Sequence, residues 1–286
     1  LIARESREDD EENWEVARVL LHPEVLPDIL VVQEGATQSD ANFFNTQFLK
    51  GHFEYIHQLK TNTDRDQHLL VMARPGFKVI EVREDYHEKP DTDNIVPGLD
   101  RIFARGPGFV LFETPGGHRL WVGTNHQKSR GFSADRGESG VSVARWRLAE
   151  AKATHEIIKD LAKTSTPHVL FLGDMNDEIG IQQYEEEAGG SGIEAIAGTG
   201  EFTLSVLTAP LEKSGEISFG GYRSARYRSL IDHAFATPAL APFVTRVHAF
   251  RGDLADVASD HYPIVVELTL PASSPTPDRN PSTTNP

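Results

Sequence analysis

There is no cysteine in these 286 residues, which removes disulfide scaffolds, thiolate zinc sites, iron–sulfur clusters and cysteine nucleophiles together. The absence leaves the compartment open, because a thiol-free chain suits the cytosol and the exterior equally. No run approaches the ~20 consecutive apolar residues of a membrane helix, and the first residues carry no secretory-signal pattern. Positive charge is scarce: 28 Lys and Arg stand against 43 Asp and Glu, a formal net charge of −15. That balance disfavours a protein that coats nucleic acid or anionic membrane by bulk charge. It permits a local basic patch, or an enzyme whose carboxylates hold a cation. No P-loop or dinucleotide fingerprint is present, and Gly189-Gly190-Ser191-Gly192-Ile193 does not fit the G-x-S-x-G of a serine hydrolase. No internal repeat of solenoid period occurs.

What remains is an ordinary globular composition, 38% hydrophobic and 25% charged, in a chain long enough for one large domain or two small ones. The chain starts at Leu1 and reads as a fragment or a processed product. Acidic residues in the first turn and Trp14, Ala17, Leu20 and Leu21 at helical spacing predict a helix over 9–21. After Pro27 the run Ile29-Leu30-Val31-Val32 predicts a strand covered on both faces. Further strands are expected over 69–73, 77–82, 109–113, 120–124, 169–172, 230–236 and 264–270, with Gly116-Gly117 turning a hairpin. A long helix is expected over 143–163, and the Gly-rich stretch 188–200 reads as a surface loop. Many strands among few helices imply stacked sheets with helices outside, in one domain over 1–270. The stretch 271–286, rich in Pro, Ser and Thr, reads as a solvated, disordered tail; as a tether it would fit a secreted or surface enzyme.

The polar residues of interest share one placement, at the ends of apolar strands. Glu34 follows I-L-V-V-Q; Asn125, His126 and Lys128 follow L-W-V-G-T; Asp174, Asn176 and Asp177 follow V-L-F-L-G. Asp232 and His233 fall within L-I-D-H-A-F-A, and Asp260 and His261 precede P-I-V-V-E-L. Layered α/β folds deliver such side chains to a common rim. Carboxylates, an amide and imidazoles gathered there suit phosphoryl chemistry with a hard cation. Taken singly, each has a bland reading: a solvated carboxylate, a Gly-Asp-Asn turn, a structural histidine. The nine histidines outside these motifs keep that bland reading. The ordered set of five is what carries weight.

That set resembles the endonuclease/exonuclease/phosphatase superfamily, through V-V-Q-E (31–34), T-N-H-Q-K-S (124–129), L-G-D-M-N-D (172–177), S-L-I-D-H (229–233) and S-D-H-Y-P-I (259–264). The T-N-H-Q-K-S form is most similar to bacterial extracellular nucleases. The resemblance implies a four-layer α/β/β/α sandwich of two packed mixed sheets flanked by helices. It also implies a first strand bearing an active-site Asn, which nothing before Glu34 supplies, so that strand is expected to be missing. Carried over, the family roles make Glu34 the principal Mg²⁺ ligand, with Asp260 as ligand or orienter and Mn²⁺ or Ca²⁺ as alternative ions. His261, paired with Asp232, would be general base or phosphate donor. Asp174 would orient the attacking water, Asn176 would hold phosphate or that water, and His126 would contact the scissile phosphate.

Lys128 and Arg101 are weaker candidates for phosphate contact. Tyr222-Arg223 and Arg226-Tyr227-Arg228 place Arg223, Arg226 and Arg228 in a basic, aromatic loop suited to phosphates and bases. Lys128, Arg130 and Arg136 form a second basic stretch. These features imply a Mg²⁺-dependent nuclease acting on DNA or RNA, with no obligate protein partner. A phosphatase or lipid phosphodiesterase of inositol phosphate or sphingomyelin type shares the chemistry. A catalytically silent scaffold domain is the reading from another class.

Overall fold

The apolar run after Pro27 forms β1 (Ile29–Gly35), preceded by the amphipathic α1 (Arg7–Leu20). These belong to a computed structural model that describes residues 7–63, 67–96, 98–220 and 227–271. The expected tail therefore lies outside the described residues beyond position 271. Helix α2 (Gln38–Gln47) follows with a Thr37–Asp40 capping box, and leads to β2 (Tyr55–Leu59) and β3 (His68–Ala73). Together β1, β3 and β2 make an antiparallel three-stranded sheet in that order.

A six-stranded mixed sheet forms the other half, in the order β4 (Lys78–Arg83), β5 (Gly108–Glu113), β6 (Arg119–His126), β7 (Val169–Asp174), β9 (Asp232–Ala236) and β8 (Ser205–Val206). Only β6 and β7 run parallel, and the long α3 (Gly140–Ala162) makes the crossover that a parallel pair requires. Ser139 caps α3, so the helix starts three residues ahead of its expected apolar face. A separate antiparallel pair, β10 (Val244–Ala249) and β11 (Ile264–Leu268), completes the strands.

The layers follow from which faces are apolar. Leu69 and Val71 of β3, with Leu59 of β2, meet Val110, Phe112 and Val122 of the large sheet, and Val266 and Leu268 of β11 pack on the same core. The opposite face of the large sheet carries Phe109, Trp121, Phe171 and Phe235 against Ile157, Ile158 and Leu161 of α3. Each such side chain contributes about 1.5–3 kcal/mol by burial. On the outer side, α1 and α2 cover the three-stranded sheet through Ala17, Phe44 and Met72. Val19 of α1 joins Ala255 of α7 (Asp253–Ala258) over the β10–β11 pair. This is the expected four-layer α/β/β/α sandwich, with its second sheet layer split into two antiparallel ribbons.

The stretch 188–200 departs from its reading as a surface loop. Helix α4 (Gln183–Ala188) ends there, and α5 (Gly192–Ala197) follows, with Ile193 and Ile196 fully buried against α3. Two apolar residues at i and i+3 suffice to dock one helical turn, and the surrounding glycines mask that short signal. A short α6 (Ala209–Lys213) completes the helices. Among the described residues no helix is long and apolar enough to cross a membrane.

Candidate active site

Sheet register builds the site. His126 at the end of β6 pairs with Asp174 at the end of β7, and Asp174 pairs across the antiparallel ladder with Asp232, the first residue of β9. Three polar side chains thus stand in one row across adjacent strands. The close approach depends on Gly173, where a Cβ would lie 2.1 Å from the Asn125 carbonyl oxygen. Against this row, Nδ1 of His261 donates to Oδ2 of Asp232 at 2.8 Å. Asp174, Asp232 and His261 each offer a ligand atom, all within 4.8 Å of one another.

The electrostatics separate the groups. Asp174 is pushed up to about 7, first by burial and then by the neighbouring Asp232 charge. His126 falls well below the usual imidazole value through burial, then through the positive charges of Arg105 and His261, so its ring is neutral. Its Nε2 lies 3.3 Å from Asp174 Oδ2 and 3.9 Å from Glu34 Oε1. His261 is pulled down by burial, but the charge and hydrogen bond of Asp232, with Asp174 and Asp260, outweigh this and raise it to about 10. His261 is therefore an imidazolium at neutral pH. His233 differs from its neighbour: burial holds it down to about 4, and its Nε2 sits 3.0 Å from the Asp177 carbonyl while Thr208 Oγ1 lies 2.7 Å from Nδ1. It is a structural, neutral ring.

Two non-glycine residues at the rim occupy left-handed backbone, Glu34 at φ 54° and Asn176 at φ 50°. Such conformations cost of order 1 kcal/mol or more and persist where the surroundings impose them. For Asn176 those surroundings are visible: its N–H donates to Asp174 Oδ1 at 2.8 Å, and Nδ2 donates to the Gln127 carbonyl at 3.1 Å. Glu34 lies in the irregular stretch of β1 between Val32 and Gly35, and its Oε1 accepts from Gln67 Nε2 at 2.7 Å.

Three further residues enter the site that sequence reasoning does not single out. Arg105 donates through Nη1 to the Gln127 carbonyl at 3.1 Å and through Nη2 to Gln67 Oε1 at 3.0 Å, linking both to Glu34. Glu150 of α3, fully buried, accepts from the backbone N–H groups of Ala104 at 2.7 Å and Lys128 at 2.8 Å and clamps the two rim loops together. Burial raises Glu150 to about 7 despite those two bonds. Arg105 and Gln67 precede β5 and β3. Those strands run antiparallel to β6 and β1, so their starts reach the rim where β6 and β1 end.

The structure brings His126, Asp174, Asn176, Asp232, His261 and Glu34 to one rim, with Asp260 lining the same cavity. It does not bring Lys128 there: the ammonium donates to the Gly131 carbonyl at 2.9 Å, lies 3.7 Å from Glu138 and sits over the Trp146 ring. Arg101 instead donates to Asn62 Oδ1 at 2.9 Å, with Asp100 3.8 Å from its Nε. Arg228 is exposed, and Arg223 and Arg226 lie outside the described residues.

The family model for the endonuclease/exonuclease/phosphatase family matches residues 4–261. The chain belongs to that family. Hydrolysis of phosphoric esters is the activity this membership carries. No curated protein matches the chain in sequence. Among solved structures, the family fold recurs in mannosyl-6-phosphatase Bt3783 of Bacteroides thetaiotaomicron, 17% identical over 91% of each chain with a TM-score of 0.62. It recurs in a humanized TDP2 of D. rerio, 14% identical over 91% of this chain and 93% of that one, TM-score 0.58. The human nocturnin catalytic domain with bound sulfate is 13% identical over 90% and 87%, TM-score 0.57.

The donor set of this family member fits a divalent cation. The site is all oxygen and imidazole, and the Asp174–Asp232 pair is a like-charge conflict that a cation relieves.

Proposed function

We propose that the chain is a Mg²⁺-dependent phosphodiesterase that cleaves nucleic acid by in-line attack of water. The observation that supports this best is the row His126–Asp174–Asp232 closed by the Asp232–His261 hydrogen bond. A proton acceptor and fixed donors side by side would suit that reaction. Asp174, whose carboxylate form the cation would favour, takes the proton as the water oxygen bonds to phosphorus. His261 keeps Nδ1–H on Asp232 and gives its Nε2–H proton to the leaving ester oxygen, which takes the electron pair as the P–O bond breaks. This assigns His261 the donor role and leaves the base role to Asp174. Asn176 and His126 orient the phosphate and the water. Glu34 and Asp260 would hold the cation beside Asp174, and the cation would neutralise phosphate charge.

A monoester phosphatase is the second reading, favoured by the match to a structure titled as a mannosyl-6-phosphatase. The nuclease reading draws on the T-N-H-Q-K-S form and the basic loops. A substrate panel with Mg²⁺ decides: plasmid and single-stranded DNA, RNA, sphingomyelin, inositol phosphates, mannose 6-phosphate and bis-p-nitrophenyl phosphate. Cleavage of DNA or RNA that EDTA abolishes supports the proposal. Release of phosphate from monoesters alone replaces it with the phosphatase.

A further inference from the structure

Asp232 opens β9 and His261 lies just ahead of β11, two strands that belong to different sheets. Between the two stretches runs a short segment, Ser218-Phe219-Gly220. Phe219 bridges Ser229 on one side and His261 on the other, antiparallel to both. Its N–H donates to the Ser229 carbonyl at 3.0 Å, and its carbonyl accepts from Ser229 N–H at 3.2 Å. On the far side Tyr262 N–H donates to the Ser218 carbonyl at 2.7 Å, and Gly220 N–H donates to the Asp260 carbonyl at 2.9 Å. The segment therefore sets the spacing across which Asp232 and His261 meet. Ser218 adds a second constraint. It is fully buried, and its Oγ accepts from the N–H of Ile231 at 3.0 Å and of Asp232 at 2.9 Å. A hydroxyl has two lone pairs, and both are used here. Two successive N–H groups converge on one oxygen only where the backbone bends out of the regular strand pattern. That bend lies at the residue whose carboxylate holds His261 at 2.8 Å. The Phe219 ring packs on the imidazole itself, with centroids 4.9 Å apart and planes tilted by 57°.

We propose that Ser218 and Phe219 are positioning residues of this phosphoesterase: Ser218 aims the Asp232 carboxylate, and Phe219 holds the His261 ring against it. The proposal rests on the reading of Asp232 and His261 as the pair that delivers a proton. A charge-assisted hydrogen bond is short and directional, so a small rotation of either partner weakens it. Loss of the Ser218 hydroxyl leaves two buried N–H groups without their acceptor, and the backbone at 231–232 turns to satisfy them elsewhere. The carboxylate turns with it, away from Nδ1. Loss of the Phe219 ring frees the imidazole to rotate out of line. Both changes act on the delivery of the proton and not on the affinity for substrate, so they lower kcat and leave KM in place.

The test compares Ser218→Ala and Phe219→Leu with the parent, and uses Ser218→Thr as the conservative variant. Turnover and KM are measured on bis-p-nitrophenyl phosphate with Mg²⁺. The Nδ1 proton of His261, held on a carboxylate, is followed as a downfield NMR resonance in protein free of substrate and metal. In Ser218→Ala, kcat falls at least ~10-fold, KM stays within about twofold, and the resonance broadens or disappears. Ser218→Thr keeps the acceptor oxygen and recovers both the resonance and most of kcat. Phe219→Leu keeps an apolar side chain on a half-buried position and shows the same pattern, so it carries the test if Ser218→Ala does not fold. An unchanged kcat and resonance in either folded variant overturns the proposal. So does a rise in KM at constant kcat, which makes the residue a substrate contact. The resonance is read without turnover, so a parent protein that hydrolyses no ester removes the proposed function while the NMR comparison still decides the positioning.

Discussion

Asp174 and Asp232 stand directly opposite each other across the β7–β9 ladder, and the second of them holds His261 at 2.8 Å. One carboxyl is thereby pushed up towards neutrality, while the other supports an imidazolium. Several outcomes follow from this pairing.

Asp232→Asn removes the charge that outweighs the burial of His261. The imidazole pKa then falls from about 10 towards or below its ordinary value, read by the NMR titration of the ring. Turnover at neutral pH falls by at least ~10²-fold as the donor is lost. A ring titration unchanged by the substitution contradicts the pairing.

Chelation with EDTA abolishes turnover, and added Mg²⁺ restores it. Glu34→Gln raises the Mg²⁺ concentration needed for half-maximal activity, because one carboxylate ligand is replaced by a neutral amide. An unchanged Mg²⁺ requirement removes Glu34 from the cation site.

Gly173→Ala pushes a methyl group against the Asn125 carbonyl, 2.1 Å away in the present backbone. Overpacking of this kind costs about 1–3 kcal/mol. It also spreads β6 from β7, so turnover drops along with the midpoint of urea unfolding.

His233 makes the fold sensitive to acid. Its folded pKa, about 4, lies below the unfolded value of 6.5, so between these pH values the unfolded chain binds more protons. The stabilisation is complete above about 6.5 and is lost as pH falls through about 4, with a full size of the order of 3 kcal/mol. His233→Gln flattens that slope in a series of urea unfolding curves. A slope unchanged by the substitution assigns the acid sensitivity elsewhere.

The strands and the rim were legible where an apolar run ends in a polar residue, as with Val32 before Gln33-Glu34 and Leu172 before Gly173-Asp174. Arg105 and Gln67 stand ahead of their strands, and only the antiparallel register of β5 with β6 and β3 with β1 turns a strand start into a rim position. Lys128 shows the converse. It sits two residues after His126, yet its side chain turns back to Gly131, Glu138 and Trp146, a direction that neighbourhood in sequence does not encode. The turn of α5 was hidden because Ile193 and Ile196 are a two-residue signal among glycines. The division of the second sheet layer was invisible too, since no local pattern shows which edge of a strand is left open.

The central claim is that Asp174, Asp232 and His261 form one hydrolytic unit with a divalent cation. Hydrolysis of bis-p-nitrophenyl phosphate with Mg²⁺ tests it most directly, comparing the unaltered protein with His261→Ala and Asp174→Asn. Both variants are expected to keep the circular dichroism of the parent and to lose at least ~10²-fold in turnover, the usual scale for an acid–base group. Undiminished Mg²⁺-dependent turnover in either folded variant contradicts the account.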